Sequence, residues 1–301
     1  EFRRVLFRSR AFLRETMQRF GIVTKKKYGQ NFLINEAIPR RIALEGCPNP
    51  CDGVLEIGPG MGTLTYELCK RAKKVVALEI DKTLLPVLEY TLGAFSNVKV
   101  LLQDALQTDL AALCKEEFSD CDGIRVCANL PYYITTPVLM YLLESGVPFK
   151  SVTVMVQKEV ADRLTAKAGS SDYGAITAAV GYFGRAEKLF IVSPGSFLPA
   201  PSVESCVIRI DIHRENPYAE CDRALLMSLI KAAFGQRRKT LNNTLKGILQ
   251  EEEREWLPGL LAEMGFPPDV RGERLDISDY AVLCRALQKK RAEQGSPQGI
   301  V

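Results

Sequence analysis

The chain has 301 residues, of which 47% are hydrophobic and 25% charged, and its formal net charge is +4. This composition indicates a globular protein with a substantial core and excludes a disordered, fibrous or disulfide-rich chain. No apolar run approaches the 18 or so residues of a membrane span, and nine cysteines without a repeated spacing predict reduced thiols and a cytosolic protein. His213 is the only histidine, which excludes His-dependent triads and two-His metal sites. We therefore expect neither a metal nor a membrane partner.

The first ten residues carry four arginines against one glutamate, which accounts for most of the net charge. They lack an initiator methionine and an amphipathic period. Residues 1–23 are therefore predicted to be a non-native or disordered extension. Because the remainder is close to neutral, any nucleic-acid binding has to come from local basic patches.

From about Val54 the chain alternates short apolar runs with stretches of helical length. The runs lie at 54–57, 75–80, 98–102, 124–130 and 152–157. This spacing is typical of parallel strands joined by helices and predicts a doubly wound, Rossmann-like α/β sheet. Residues 202–212 alternate in polarity, which predicts a late antiparallel strand at the sheet edge.

From about Asp222 the pattern becomes helical and predicts a small C-terminal domain, with Pro258 among its helix breaks. The predicted boundaries are 24–213 for the Rossmann-like domain and 214–293 for a helical RNA-binding domain. Residues 294–301 are expected to form a frayed tail.

A glycine-rich loop, Gly58-Pro-Gly60-Met-Gly62, follows the first predicted strand. Glycines let the backbone turn sharply and approach a ligand, and the following helix presents free N–H groups. Glu79 ends the second strand about 20 residues later, where an acid can accept both ribose hydroxyls of a nucleotide. The loop alone is equally consistent with a structural turn.

Three details distinguish a nicotinamide dinucleotide from S-adenosylmethionine. The glycines follow G-x-G-x-G rather than G-x-G-x-x-G, and the acid Glu56 precedes them. Asp104 ends the third strand, where it can accept from an adenine amino group; its alternative role is a helix N-cap. Together these features predict S-adenosylmethionine as the cofactor.

The fourth strand ends in Asn129-Leu130-Pro131-Tyr132, at the strand terminus where open α/β sheets bind ligands. Methyl transfer to an exocyclic amine needs acceptors that hold the NH2 group. Asn129 supplies a side-chain carbonyl, Leu130 or Pro131 a backbone carbonyl, and Tyr132 a stacking face. A simple turn is the alternative reading of this sequence.

Eight segments in order closely resemble the KsgA/RsmA family of small-subunit rRNA adenine dimethyltransferases, over about residues 24–288. The segments are 25–33, 56–65, 78–81, 103–106, 129–137, 155–164, 196–205 and 233–245. The resemblance implies methyl transfer from S-adenosylmethionine to N6 of two adjacent adenosines in the 3′-terminal hairpin of 16S rRNA. It further implies that the partner is rRNA within an assembling 30S particle, and we expect a monomer.

The resemblance also implies roles for individual residues. The expected cofactor-binding residues are Asn31, Leu33, Gly58, Glu79, Asp104 and Asn129. The expected catalytic residues are Asn129, Leu130, Pro131, Tyr132 and Phe197. The expected RNA-binding residues are Lys25, Lys26, Lys27, Arg237, Arg238 and Lys239. For Phe197, near the target base by resemblance, a buried core position is the alternative, and for the basic residues a solvated helix face.

Three alternative functions remain at this stage. An Erm-type 23S rRNA methyltransferase would share the sheet, but the Erm family resembles N-I-P-Y rather than N-L-P-Y at 129–132. A non-catalytic assembly factor on the same fold is the second, and it would not need the intact set Asn31, Gly58, Glu79, Asp104 and Asn129. A dehydrogenase is the third reading.

Overall fold

The protein is described by a computed structural model that covers residues 10–22 and 30–295. These residues divide into two compact units. The first, here called the sheet unit, comprises the described residues up to 161 together with Arg185–Ile212. The second, the helical unit, comprises Asp162–Gly184 and residues 213–295. The segment 162–184, which the sequence boundaries placed with the sheet, thus packs with the helices.

Seven strands form the main sheet in the order β4-β3-β2-β5-β6-β9-β7, and β1 pairs with β8 in a separate two-stranded sheet. The strands are β1 (Phe32–Leu33), β2 (Gly53–Ile57), β3 (Lys74–Glu79), β4 (Val98–Leu102), β5 (Ile124–Asn129), β6 (Phe149–Gln157), β7 (Gly184–Val192), β8 (Phe197–Leu198) and β9 (Ser205–Ile212). The five strands from β4 to β6 are parallel. The predicted α/β fold class is confirmed.

The centre of the sheet explains where a ligand can bind. Every residue of β2 is buried, as expected for a parallel strand covered on both faces. In register, Ile57 of β2 lies opposite Leu78 of β3 and Ala128 of β5. The carboxyl ends of these three strands are therefore level. The strand order reverses between β2 and β5, and such a switch point leaves a crevice at the strand ends.

The late antiparallel strand is confirmed as β9, which pairs with β6. Its predicted edge position is wrong, because β7 lies beyond it in the sheet. The sequence of β7, GRAEKLFIV, mixes charged and apolar residues, and most of its residues are only half-buried or exposed. An edge strand with one solvated side lacks the continuous apolar run that marked the central strands.

The helices described by the structure include none long and apolar enough to cross a membrane. They are α1 (Arg10–Arg19), α2 (Ala37–Gly46), α3 (Thr63–Cys69), α4 (Leu85–Leu92), α5 (Leu110–Glu117), α6 (Thr135–Glu144), α7 (Lys158–Leu164), α8 (Ala175–Phe183), α9 (Arg223–Gly235), α10 (Leu241–Thr244), α11 (Glu251–Glu263) and α12 (Ile277–Gly295).

Helix α1 belongs to the sequence predicted to be non-native or disordered, yet it packs against the sheet unit. Leu13 is 1% exposed and joins a core cluster with residues of α4, such as Leu88. Met17 and Phe20 pack against the same cluster. Positions 13, 17 and 20 follow helical spacing, so residues 10–22 carry an apolar helix face. The prediction missed this face because it was based on the arginine-rich residues that precede it.

Pro258 lies inside α11 rather than ending a helix, so the predicted break at this position is wrong. Proline has no N–H and leaves the carbonyl four residues earlier without its helical partner. That carbonyl belongs to Arg254, and Asn242 Nδ2 donates to it at 3.1 Å. A side chain of the helical unit thus replaces the missing hydrogen bond.

At the amino ends of β2 and β5, the opposite end of the sheet from the crevice, one buried carboxylate joins two cations. Asp52 is fully buried; Arg125 Nε donates to its Oδ2 at 2.6 Å and Lys150 Nζ to its Oδ1 at 2.7 Å. Burial alone would raise the pKa of Asp52, but these hydrogen bonds hold it below its ordinary value. The carboxylate therefore stabilises the folded state while it is ionised.

We expect Asp52→Ala to lower the free energy of unfolding at pH 7 by about 3 kcal/mol, because Arg125 loses its partner in a largely buried position. Asp52 has a lowered pKa, so the wild-type contribution is present above about pH 4 and is lost as the pH falls through that lowered value. Urea titrations at several pH values measure both effects. Asp120→Ala, which removes an exposed partner of Lys73, is the control and should leave stability nearly unchanged. Equal stabilities of the two variants would contradict the prediction.

Candidate functional site

A pocket at the carboxyl ends of the parallel strands contains most of the predicted site residues. Its space, including the solvent at its open mouth, is about 1090 Å³. The predicted residues that line it are Asn31, Leu33, Gly58, Glu79, Asp104, Asn129, Leu130, Pro131 and Tyr132. The structure thus brings nine of the predicted site residues together and supplies the contacts among them.

Glu79 connects the second strand to the glycine loop. Its Oε2 accepts from Gly60 N at 3.2 Å and its Oε1 from Asp81 N at 2.8 Å. The side chain is 4% exposed, and this burial raises its pKa, which the backbone hydrogen bonds partly counteract. Gly58 has a φ of +69°, and a Cβ built on it would meet no atom within 4 Å. The loop therefore leaves open space at Gly58.

Glu56 also lines the pocket, although it was not among the predicted site residues. It lies on β2, is 1% exposed, and its Oε2 has no hydrogen-bond partner among the described residues. Burial raises its pKa to about 8, and the nearby Glu79 carboxylate adds to the shift. An acid within an otherwise apolar strand was the sequence signal for this position, since such a charge is rarely buried without a reason.

Asp104 follows β4 and does not cap a helix. Its Oδ1 accepts from Leu106 N at 3.0 Å and its Oδ2 from Gln107 Nε2 at 2.8 Å. The N-cap of α5 is Asp109, whose side chain accepts from Ala112 N. The carboxylate of Asp104 thus orders its own turn, and its two oxygens retain further acceptor capacity toward the pocket.

Asn129 is the last residue of β5 and closes the pocket against the N-terminal segment. Its Nδ2 donates to the backbone carbonyl of Asn31 at 3.4 Å. With the amide in this orientation, the Oδ1 has no partner among the described residues and is available as an acceptor.

The sequence left open whether Leu130 or Pro131 offers the second, backbone acceptor. The Pro131 carbonyl already accepts from Thr135 Oγ1 at 3.2 Å and from Ile134 N at 3.2 Å. No such contact of the Leu130 carbonyl occurs within the described part of the chain. The geometry therefore favours Leu130 over Pro131.

Tyr132 begins a 3-10 turn over Tyr132–Ile134 and is half-buried at the pocket wall. Its hydroxyl shares a 2.7 Å hydrogen bond with Ser205 Oγ, and burial raises its pKa. The next residue, Tyr133, also lines the pocket but is 59% exposed.

The structure does not bring Phe197 to this pocket. Its side chain is 3% exposed and joins the core cluster that includes Val192 and Val207. Residue 197 pairs with Leu33 in the ladder between β1 and β8. In this structure Phe197 therefore occupies the buried core position that was its alternative interpretation.

The predicted RNA-binding residues differ in their contacts. Lys25, Lys26 and Lys27 lie outside the described residues. Arg237 donates to the backbone carbonyls of Ser171, at 3.4 Å, and Tyr173 within the helical unit. Arg238 and Lys239 are exposed, and no hydrogen bond or ion pair of their side chains occurs among the described residues. These last two cations are the ones available to a ligand.

No group of three or more His, Cys, Asp or Glu side chains within residues 10–22 and 30–295 is arranged to hold a metal ion. The pocket chemistry at the strand ends instead consists of three acids, one amide oxygen, one backbone carbonyl and an aromatic ring. Such a set can bind a cationic nucleoside and orient an amino group.

The chain is similar to known proteins over most of its length. The model of the family described as ribosomal RNA adenine dimethylase matches residues 22–281. The chain is 45% identical over 276 residues to the ribosomal RNA small subunit methyltransferase A of Geobacillus kaustophilus (strain HTA426), covering 91% of this chain and 94% of the relative. A dimethyladenosine transferase from Plasmodium falciparum superposes with a TM-score of 0.73 at 26% identity, covering 86% of this chain and 98% of the other. The 23S rRNA methyltransferase ErmE shares the fold, with a TM-score of 0.67, 24% identity, and coverage of 86% and 100%.

The raised pKa of Glu56 predicts an unusual pH dependence of stability. The folded state holds a proton on Glu56 up to about pH 8, whereas the unfolded chain releases it near pH 4.5. Stability should therefore fall as the pH rises between these values. We expect Glu56→Gln to flatten this dependence and to be about 2–4 kcal/mol more stable than the wild type at pH 9.

Urea unfolding of the ligand-free protein between pH 5 and pH 9 measures this effect. Glu116→Gln, at an exposed position on α5, is the matched control and should follow the wild-type curve. A Glu56→Gln curve parallel to the wild type throughout would show that Glu56 is not held protonated.

Proposed function

Since the chain belongs to the ribosomal RNA adenine dimethylase family, we propose that it methylates N6 of two adjacent adenosines in the 3′-terminal hairpin of small-subunit rRNA. It is an rRNA adenine dimethyltransferase. High identity to a small-subunit enzyme, against a fold-level likeness to a 23S enzyme, favours the small-subunit substrate over the Erm alternative. The observation that carries the proposal is the meeting of Glu79, Asp104 and Asn129 in one pocket at the strand ends.

The pocket fits S-adenosylmethionine by charge. Glu56, Glu79 and Asp104 line it, and no lysine or arginine is among its described lining residues. S-adenosylmethionine carries a sulfonium and an ammonium group, which acids in a low-dielectric pocket attract. The open space at Gly58 admits a ligand where a side chain would otherwise stand.

Individual residues then take the roles that their positions support. Glu79 accepts hydrogen bonds from the ribose hydroxyls and Asp104 from the adenine amino group of the cofactor. Asn31 and Leu33 close the pocket from the N-terminal segment, and Asn129 borders it from β5. When bound, S-adenosylmethionine supplies an electrophilic methyl group on its sulfonium.

The chain contributes positioning and hydrogen-bond acceptors to the reaction. Adenine N6 is a weak nucleophile because its lone pair is delocalised into the ring. Acceptance of its two hydrogens by Asn129 Oδ1 and the Leu130 carbonyl favours a more tetrahedral nitrogen, which is the geometry of the transition state. Tyr132 stacks on the base and holds the nitrogen in line with the methyl group. The proton leaves to water after transfer, when the product nitrogen is acidic, so no histidine is needed.

The proposal is tested by incubating the protein and isotope-labelled S-adenosylmethionine with undermethylated small ribosomal subunits, followed by mass spectrometry of the rRNA nucleosides. Labelled N6,N6-dimethyladenosine at the two adjacent positions is expected. Labelling of large-subunit rRNA alone would favour the Erm alternative. Binding to small subunits without any label transfer would favour a non-catalytic assembly factor.

We expect Asn129→Ala to lower kcat by about 10²-fold or more at saturating S-adenosylmethionine, from the loss of a transition-state hydrogen bond. RNA affinity should change little, because phosphate contacts dominate it. Asn97→Ala is the matched control, since Asn97 Nδ2 also donates to backbone carbonyls, those of Cys69 and Ala72, away from the pocket. That variant should lose thermal stability but keep kcat. A normal kcat for Asn129→Ala would overturn the assigned catalytic role.

Arg238→Ala combined with Lys239→Ala should weaken RNA binding and reduce the slope of log affinity against log salt by roughly 1–2, since two phosphate contacts are lost. S-adenosylmethionine affinity should not change. Arg237→Ala should instead lower thermal stability, because Arg237 holds the backbone at residues 171 and 173. Filter binding across a salt series and thermal melts separate these outcomes. An unchanged salt slope in the double variant would contradict the assignment.

A further inference from the structure

A buried hydroxyl fixes the aromatic ring that faces the pocket. Ser205 is fully buried, and its Oγ lies 2.7 Å from the Tyr132 hydroxyl. Within the described part of the chain this is the one side-chain hydrogen bond of either residue. A buried hydroxyl costs stability unless it is satisfied, so the Ser205 hydroxyl needs the tyrosine as its partner. Alanine would fill the Ser205 position in the sheet equally well if packing were its role.

The two ends of this hydrogen bond differ in rigidity. Ser205 is the first residue of β9 and pairs with Gln157, at the end of a ladder of seven residue pairs between β6 and β9. Tyr132, in contrast, begins a short 3-10 turn at the pocket wall, and its ring turns about two side-chain bonds. The sheet therefore provides a fixed anchor, and the tyrosine is the group that the anchor restrains.

The hydrogen bond restrains the position and the orientation of the Tyr132 ring. Because the phenolic oxygen lies on the Cβ–Cγ axis, the contact directly fixes the rotation about the Cα–Cβ bond. The hydrogen and lone pairs of a phenol lie near the ring plane, so the direction of the hydrogen bond to Ser205 also favours one rotation about the Cβ–Cγ bond. A flat base can stack only on a ring whose face is presented to it, and a ring already held in that orientation loses less entropy on binding.

We propose that Ser205 is a positioning residue for the methyl-transfer reaction, which acts by fixing the Tyr132 ring against the target adenine. This inference rests on the proposed function, because it takes Tyr132 as the stacking residue. Ser205 acts through Tyr132 and does not touch the reacting atoms.

A double-mutant cycle tests the inference. Ser205→Ala and Tyr132→Phe each remove one hydroxyl and keep the ring. Each should lower kcat on small subunits by about 3- to 10-fold, the range expected for one net hydrogen bond, and leave S-adenosylmethionine affinity unchanged. The double variant should lose no more than either single variant, because both remove the same contact. Ser151→Ala, a fully buried serine on β6 whose hydroxyl accepts from Arg125 at 2.9 Å, is the matched control and should keep kcat.

Other outcomes overturn the proposal. A larger loss for Tyr132→Phe than for Ser205→Ala would mean that the tyrosine hydroxyl contacts RNA directly. Parallel losses of melting temperature, cofactor affinity and kcat in Ser205→Ala would mean a structural role. A normal kcat in Ser205→Ala would also contradict the proposed positioning role.

A second measurement does not depend on the proposed function. In protein with isotope-labelled tyrosine rings, the NMR signal that disappears in Tyr132→Phe identifies Tyr132. That signal should shift in the ligand-free Ser205→Ala variant. An unshifted signal would show that the hydrogen bond between Tyr132 and Ser205 does not form. If NMR shows the Tyr132–Ser205 hydrogen bond but the wild-type protein transfers no methyl group to rRNA, the proposed function is wrong while the hydrogen bond itself is confirmed.

Discussion

The buried carboxylate of Glu79 is the contact on which the geometry of the pocket depends. It stands at the end of β3 and accepts hydrogen bonds from Gly60, in the loop after β2, and from Asp81, in the turn after its own strand. The loop after β2 and the turn after β3 are thereby held in one arrangement before any ligand binds. The same oxygens retain acceptor capacity toward the pocket. Because Glu79 both fixes the loop after β2 and lines the pocket, the same side chain serves the fold and ligand binding.

The two ends of the sheet use charge in opposite ways. At the amino end, Asp52 is matched by Arg125 and Lys150, and the ionised carboxylate stabilises the fold. At the carboxyl end, Glu56 and Glu79 are buried without a cation among the described pocket residues, and burial raises the pKa of each. Burying acids that no cation offsets costs stability at this end of the sheet, which is the usual relation between stability and function at a binding site.

The hydrogen-bond acceptors at the end of β5 determine which substrate group the pocket can orient. Asn129 donates its amide hydrogen toward Asn31, which leaves the oxygen for a substrate amino group. The Pro131 carbonyl is already occupied, which leaves the Leu130 carbonyl. Tyr132 adds a ring whose orientation the sheet fixes through Ser205. Local hydrogen bonds thus decide which of several similar groups face a substrate, and this assignment underlies the proposed adenine methylation.

The sequence by itself determined the strand-and-helix alternation, the loop at Gly58, the acids at strand ends and the family, because each is encoded by residues close together in the chain. It did not determine the edge position of β7, the packing of α1 through Leu13 or the continuation of α11 through Pro258. Each depends on a partner distant in sequence: β9 for β7, α4 for Leu13, and Asn242 for the carbonyl that Pro258 leaves free. The tertiary structure alone buried Phe197, engaged Arg237 with the backbone, and joined Tyr132 to Ser205 across 73 residues. Such contacts arise only when the chain is folded, since a local pattern specifies that a residue is apolar or charged but not which distant group it will meet.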